Sequence, residues 1–155
     1  MTDADIPKFE TIGDWRDSEA LTGALLLPVD PDGRVLLQLR DYGTTRYPGR
    51  WGFFGGQVEA GETLRQAVAR EFEEEAGVAI DPAAPQPLFR FMVPTSGTHL
   101  YLFQATLPLI PADIRLGEGA GFAFVGPEDF ERLDLVEFVL AALRRWQAGQ
   151  SGNVA

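Results

Sequence analysis

Apolar residues run or alternate from Leu21 to Val29 and from Arg34 to Arg40, on either side of Asp30-Pro31-Asp32-Gly33. Proline presets φ for a turn and glycine accepts positive φ, so the two runs predict a β-hairpin. Gly43, Pro48 and Gly49 interrupt any period between Asp41 and Arg50 and predict a loop; Trp51 to Val58 resumes an extended pattern, broken by Gly55-Gly56. The period then changes. Leu64, Val68 and Phe72 recur at helical spacing, Thr63 with Gln66 forms a capping box, and Gly77 supplies a left-handed stop, so a helix is predicted from Thr63 to Ala76.

A Pro/Ala loop at Asp81 to Pro87 precedes predicted strands at Leu88 to Val93, His99 to Leu107 and Gly121 to Val125. Asp134 and Glu137 have the spacing of a second capping box, and Leu135, Val139, Leu143 and Trp146 form an apolar stripe. This predicts a helix to about Gln147 and a frayed, disordered tail from about residue 148. With no repeat and no linker, residues 1–155 are expected to form one domain of the α/β or α+β class, strands and two helices sharing one core.

Composition narrows the function. A chain of 155 residues with 45% apolar content buries roughly 70% of its unfolded surface. Thirteen Lys/Arg against 23 Asp/Glu give a net charge of -10, which argues against a nucleic-acid polymer or an anionic membrane as partner. An anionic small molecule would need a cation to meet it. The absence of cysteine removes disulfides, cysteine-based zinc sites and thiol nucleophiles. Met-Thr-Asp-Ala-Asp has neither a basic nor an apolar leader region, and no apolar run reaches the ~18 residues of a spanning helix, so the expectation is a cytoplasmic protein.

The first helix carries the chemistry. Glu71, Glu73, Glu74 and Glu75 crowd its last turns, where like charges three or four apart repel and the helix dipole favours cations. At about 100° per residue, Glu71 and Glu75 overlap the Leu64–Val68–Phe72 stripe, Glu74 lies on its flank and Glu73 points away. Carboxylates beside a core must be protonated, paired with arginine, or bound to a metal. Arg70 balances only one of them. Oxygen donors without cysteine suit a hard cation such as Mg²⁺ or Mn²⁺; the alternative is a solvated acidic face.

Gly56, five residues, Glu62, seven residues, then Arg70-Glu71-Phe72-Glu73-Glu74-Glu75-Ala76-Gly77-Val78 resembles the complete box of the Nudix hydrolase family. Every fixed position matches, a coincidence on the order of 10⁻⁷ at ordinary residue frequencies. Phe72 stands at a usually aliphatic site, and Phe54 where many members have proline. The resemblance implies a mixed β-sheet sandwiched between helices and Mg²⁺-dependent hydrolysis of the diphosphate linkage of a nucleoside diphosphate linked to some group X. It implies Gly56, Glu71, Glu74 and Glu75 as metal ligands, and Arg70, Glu71 and Glu74 in catalysis. Glu118, between Gly117 and Gly119, lies where many members carry a loop carboxylate acting as base or extra ligand; a solvated loop charge is the alternative.

Other residues extend this picture. Arg40 and Arg50, with Arg46 between them, flank a glycine-containing loop and are candidate phosphate contacts. Trp15, Tyr47 and Trp51 are candidates to stack on a base, against the plainer expectation that they fill the core. His99 is read as a strand-edge residue. Pro94, sixteen residues beyond the box, resembles ADP-ribose-cleaving members and leans X toward a sugar; an oxidised nucleoside triphosphate is the second reading. The isomerase branch of the superfamily, which uses a cysteine acid, does not fit. A non-catalytic nucleotide-sensing module is a further alternative, and a homodimer is left open.

Overall fold

The computed structural model describes residues 7–11 and 22–152. Among them, eight strands form one mixed sheet: β1 (Glu10–Thr11), β2 (Thr22–Val29), β3 (Val35–Leu39), β4 (Trp51–Gly52), β5 (Phe54–Gln57), β6 (Gln86–Met92), β7 (His99–Thr106) and β8 (Gly121–Val125). The path runs β1-β6-β7-β2-β3-β4, with β5 also pairing β2 and β8 pairing β3. Only the central β2–β7 pair among these is parallel, Thr22 opposite His99 through Val29 opposite Thr106. The β2–β3 hairpin forms as its turn chemistry predicts: the Asp30 carboxylate accepts the Asp32 and Arg34 N–H groups.

Every described residue of β2 is buried, which an alternating strand could not be unless both faces were covered. Helix α1 (Leu64–Ala76) packs Leu64, Val68 and Phe72 on Ala24, Leu26, Leu36 and Phe54. Helix α2 (Glu137–Gly152) packs Val139, Leu143 and Trp146 on Leu25, Leu27, Leu37 and Phe53. Neighbours in β2 and β3 thus serve opposite layers. The sheet lies between helices, as expected.

Helix α1 has the expected ends: Thr63 and Gln66 form the reciprocal capping box, and Gly77 adopts φ +70 with its N–H donated to the Glu73 carbonyl. Helix α2 differs. It begins at Glu137, not Asp134, because Asp134 meets Arg50 and its carbonyl accepts the Trp51 N–H. It continues to Gly152, past the expected stop at Gln147; residues 153–155, and with them the end of the expected tail, lie outside the described residues. Sequence reasoning did not anticipate β1 or the 3-10 turns at Pro111–Asp113 and Pro127–Arg132. Among the described residues, no helix is long and apolar enough to cross a membrane.

Candidate active site

The three converging carboxylates of α1 differ in burial as the helical period predicts. Glu75 is 5% exposed, Glu71 is largely buried and Glu74 more than half exposed, while Glu73 faces solvent. Glu75 Oε1 accepts the Gly55 N–H at 2.7 Å. Burial pushes the Glu75 carboxyl up to about 8, with the Gly55 bond opposing and the Glu71 and Glu118 charges adding. Burial also raises Glu71, against the pull of Arg70.

Arg70 is the hub of the cluster. Its Nε and Nη2 donate to Glu62 Oε2 and Oε1 at 2.7 and 2.9 Å, and Nη1 reaches Glu71 Oε1 at 3.1 Å and Glu74 Oε2 at 3.3 Å. Nη2 also donates to the Gln57 carbonyl at 3.2 Å. The Glu62 bonds hold the guanidinium charged, and Arg70 in turn holds Glu62 below the usual carboxylate range. Sequence reasoning gave Arg70 one carboxylate partner; here it spans three at hydrogen-bond range.

The glycine pair explains how strand and helix come so close. A Cβ on Gly56 would sit 2.5 Å from Glu71 Oε1, and one on Gly55, at φ +137, 2.2 Å from the Ala24 carbonyl oxygen. The backbone therefore passes directly beneath the carboxylates.

These groups line a cleft of about 750 Å³, within the usual range for small-molecule sites. Glu71, Glu74, Glu75 and Arg70 form one wall and Glu118 joins them; Arg40, Arg46 and Tyr47 come from the loop after β3, and Thr95, Ser96 and Thr98 from the turn between β6 and β7. Arg50 is not part of it. Its Nε meets Asp134 at 3.2 Å, its Nη1 meets Glu137 at 2.8 Å, and its Nη2 donates to the Leu135 carbonyl. The arginine expected to contact phosphate instead ties β4 to the start of α2, because two acidic residues and a carbonyl converge on it. Trp51 likewise packs on the α2 core, Trp15 lies outside the described residues, and Pro94 is exposed at the hairpin turn and does not line the cleft. Gln38 and Asp41, which sequence reasoning did not single out, do line it; the signal was a lone glutamine on the inward, apolar side of β3.

Carboxylates outnumber cationic side chains along the cleft, Asp41, Glu59, Glu71, Glu74, Glu75 and Glu118 against Arg40, Arg46 and Arg70. Oxygen donors with this excess of negative charge fit a hard divalent cation. No three acidic or histidine side chains among the described residues already form a cation-holding group: Glu71 and Glu74 turn to Arg70, and Glu75 to Gly55. Coordination by all three box carboxylates would need them to reorient.

Residues 20–147 match the family described as NUDIX domain. The chain is 39% identical over 83 residues to an oxidized purine nucleoside triphosphate hydrolase of Danio rerio, 52% of this chain and 51% of that protein, so the match spans about half of the relative's length. It is 29% identical over 127 residues to the CTP pyrophosphohydrolase of Escherichia coli (strain K12), 82% of this chain and 92% of that one. In fold it is similar to the MutT protein of Methanosarcina mazei Go1, with a TM-score of 0.68 at 20% identity over 88% of this chain and 99% of the other. A match over most of the length, together with an acidic helix seated on a double glycine, places this chain in the Nudix family.

Proposed function

We propose that the protein is a divalent-metal-dependent pyrophosphohydrolase that cleaves the diphosphate linkage of a small nucleotide. The observation that carries this reading is the seating of Glu71 and Glu74 on Arg70 and of Glu75 on Gly55, beside Gly56, in a cleft of about 750 Å³. Glu71, Glu74, Glu75 and the Gly56 carbonyl would hold Mg²⁺ or Mn²⁺, which when bound neutralises diphosphate charge and acidifies water. Arg70, fixed by Glu62, positions Glu71 and Glu74. Arg40 and Arg46, across the cleft, bind phosphate oxygens. Glu118 accepts the proton of the attacking water from its loop, within the 10²- to 10⁴-fold range typical of general bases.

Of the two substrate classes, the nucleoside triphosphate is the better supported. The Danio rerio and Escherichia coli relatives carry names of triphosphate hydrolases, whereas Pro94, the feature that leans toward a nucleoside diphosphate sugar, makes no part of the cleft wall. The test is incubation with Mg²⁺ and a panel of CTP, oxidised purine triphosphates and ADP-ribose, with products resolved by chromatography. Release of pyrophosphate and a nucleoside monophosphate is expected. Monophosphate with a sugar phosphate would move X back to a sugar; no cleavage across the panel, or cleavage unaffected by EDTA and by Glu71→Gln, would overturn the metal-dependent reading.

A further inference from the structure

One buried polar side chain of the cleft lies outside the acidic helix and bonds the loop that carries Glu118. Gln38 on β3 is 3% exposed. Its Nε2 donates to the Glu118 carbonyl at 2.9 Å, and Glu75 lines the same cleft beside it.

The segment carrying Glu118 has no helix or strand of its own and is held from two directions. On the helix side, the Gly117 N–H donates to the Glu75 carbonyl at 3.0 Å and the Arg115 N–H to the Ala76 carbonyl at 2.8 Å. Toward β3, the Ala120 N–H donates to the Leu39 carbonyl at 2.8 Å and the Gly119 N–H to Asp41 Oδ2 at 3.2 Å. Gly119 sits at φ +97, and a Cβ there would come 2.9 Å from Gln38 Nε2. The loop thus leaves room for the amide at the point where Glu118 turns into the cleft. Leu36, two residues before Gln38 and on the same side of β3, packs in the α1 core. An apolar side chain would suit position 38 equally well by burial alone, and a polar one is costly there unless bonded.

We propose that Gln38 is a positioning residue: by donating from β3 to the Glu118 carbonyl, it sets the loop carboxylate in register with the acidic end of α1. This rests on the reading of the cleft as a pyrophosphohydrolase site with Glu118 as base. Gln38 itself reaches neither substrate nor reacting atoms; it acts through Glu118.

The test is Gln38→Met, which keeps the length of the side chain and removes its donors, assayed in wild-type and Glu118→Gln backgrounds. The expected result is a 10- to 100-fold loss of kcat with KM changed less than about threefold, since misplacing a reacting group costs about that much, and a further loss below about threefold when Glu118 is already glutamine. Equal losses in both backgrounds, or a loss confined to KM, would overturn the proposal. A readout independent of turnover is amide exchange: Gly119 N–H should exchange at least about tenfold faster in Gln38→Met, and unchanged exchange would count against the loop being held by Gln38. Should the variant not fold, the wild type decides by NMR, where the Gln38 side-chain proton on the Glu118 carbonyl is expected to be protected and solvent-like exchange of both side-chain protons would overturn the assignment. If no nucleotide is cleaved by the wild type, the functional reading fails while the exchange measurements still judge the positioning role.

Discussion

Arg70 and Glu62, eight residues apart, meet through two parallel hydrogen bonds, Nε to Oε2 at 2.7 Å and Nη2 to Oε1 at 2.9 Å. Glu62 precedes the N-cap of α1 and Arg70 lies two turns in, roughly 10 Å further along the axis, so the two long side chains span the first turns of the helix to meet. The pair clamps that entrance and aims the guanidinium at Glu71 and Glu74.

Glu62→Gln is therefore expected to cost about 1 kcal/mol at pH 7, the pair being part-exposed, or about 3 °C in Tm. Arg70 lowers the folded carboxyl below its ordinary value of 4.5. The folded state then binds the proton more weakly than the unfolded state, and the contribution is complete above that value and lost as pH falls through the lower folded one. The stability gap between wild type and variant, measured by denaturant titration, should narrow below about pH 4. A gap unchanged down to pH 3 would show that the pair is not the cause.

Glu75→Gln should separate folding from metal binding. A neutral glutamine still accepts the Gly55 N–H and avoids the cost of burying a carboxyl that titrates at about 8 when folded and ionises freely when unfolded, so in EDTA at pH 7.5 the variant is expected to melt at or above the wild-type temperature. Added Mg²⁺ reverses the order. Wild type should gain about 2.7 kcal/mol at a hundred times Kd, whereas the variant gains little and loses turnover by at least about a hundredfold. Differential scanning calorimetry with and without Mg²⁺ checks both, with Glu73→Gln, on the solvent side of the helix, as the unaffected control. A variant with the wild-type Mg²⁺ shift would remove Glu75 from the metal site.

Much of this was legible in the sequence because it is local. The capping box at Thr63 and Gln66, the stop at Gly77 and the burial order Glu75, Glu71, Glu74 follow from helical period alone. What escaped depends on contacts distant in the chain. Arg50 looked free because Asp134 and Glu137, more than eighty residues away, are invisible to local pattern, and taking Asp134 for a partner also moved the start of α2. Gln38 reads as one polar position in an apolar strand until the loop carrying Glu118, eighty residues on, is laid across it.

The two arginines should part in kinetics. Arg50→Ala breaks the ties to Asp134, Glu137 and the Leu135 carbonyl and is expected to lower Tm by several degrees with KM within twofold. Arg40 lines the cleft, its Nε on the exposed Arg46 carbonyl bond at 2.9 Å. Its alanine variant should leave Tm within about 2 °C and raise KM about tenfold, the effect of one charge-assisted bond. A raised KM for Arg50→Ala with unchanged Tm would return Arg50 to the substrate.

The adjacent glycines supply the sharpest contrast. On Gly56, an added Cβ meets the Glu71 carboxylate, Oε1 at 2.5 Å and Cδ at 2.7 Å, which is the far end of a flexible side chain. On Gly55 it meets backbone, the Ala24 carbonyl oxygen at 2.2 Å and Leu25 Cα at 2.8 Å, at a φ of +137 that side-chain-bearing residues rarely adopt. Gly56→Ala should thus keep the fold, with Tm within a few degrees, while displacing Glu71 and lowering kcat by about 10²-fold or more. Gly55→Ala has no such escape: it must separate β5 from β2 and is expected to cost about 3 kcal/mol or more, lowering stability first and activity only as a consequence. Thermal unfolding and kcat measured on both variants decide the matter. Wild-type turnover in a folded Gly56→Ala protein would mean that the placement of Glu71 against the strand does not govern the chemistry.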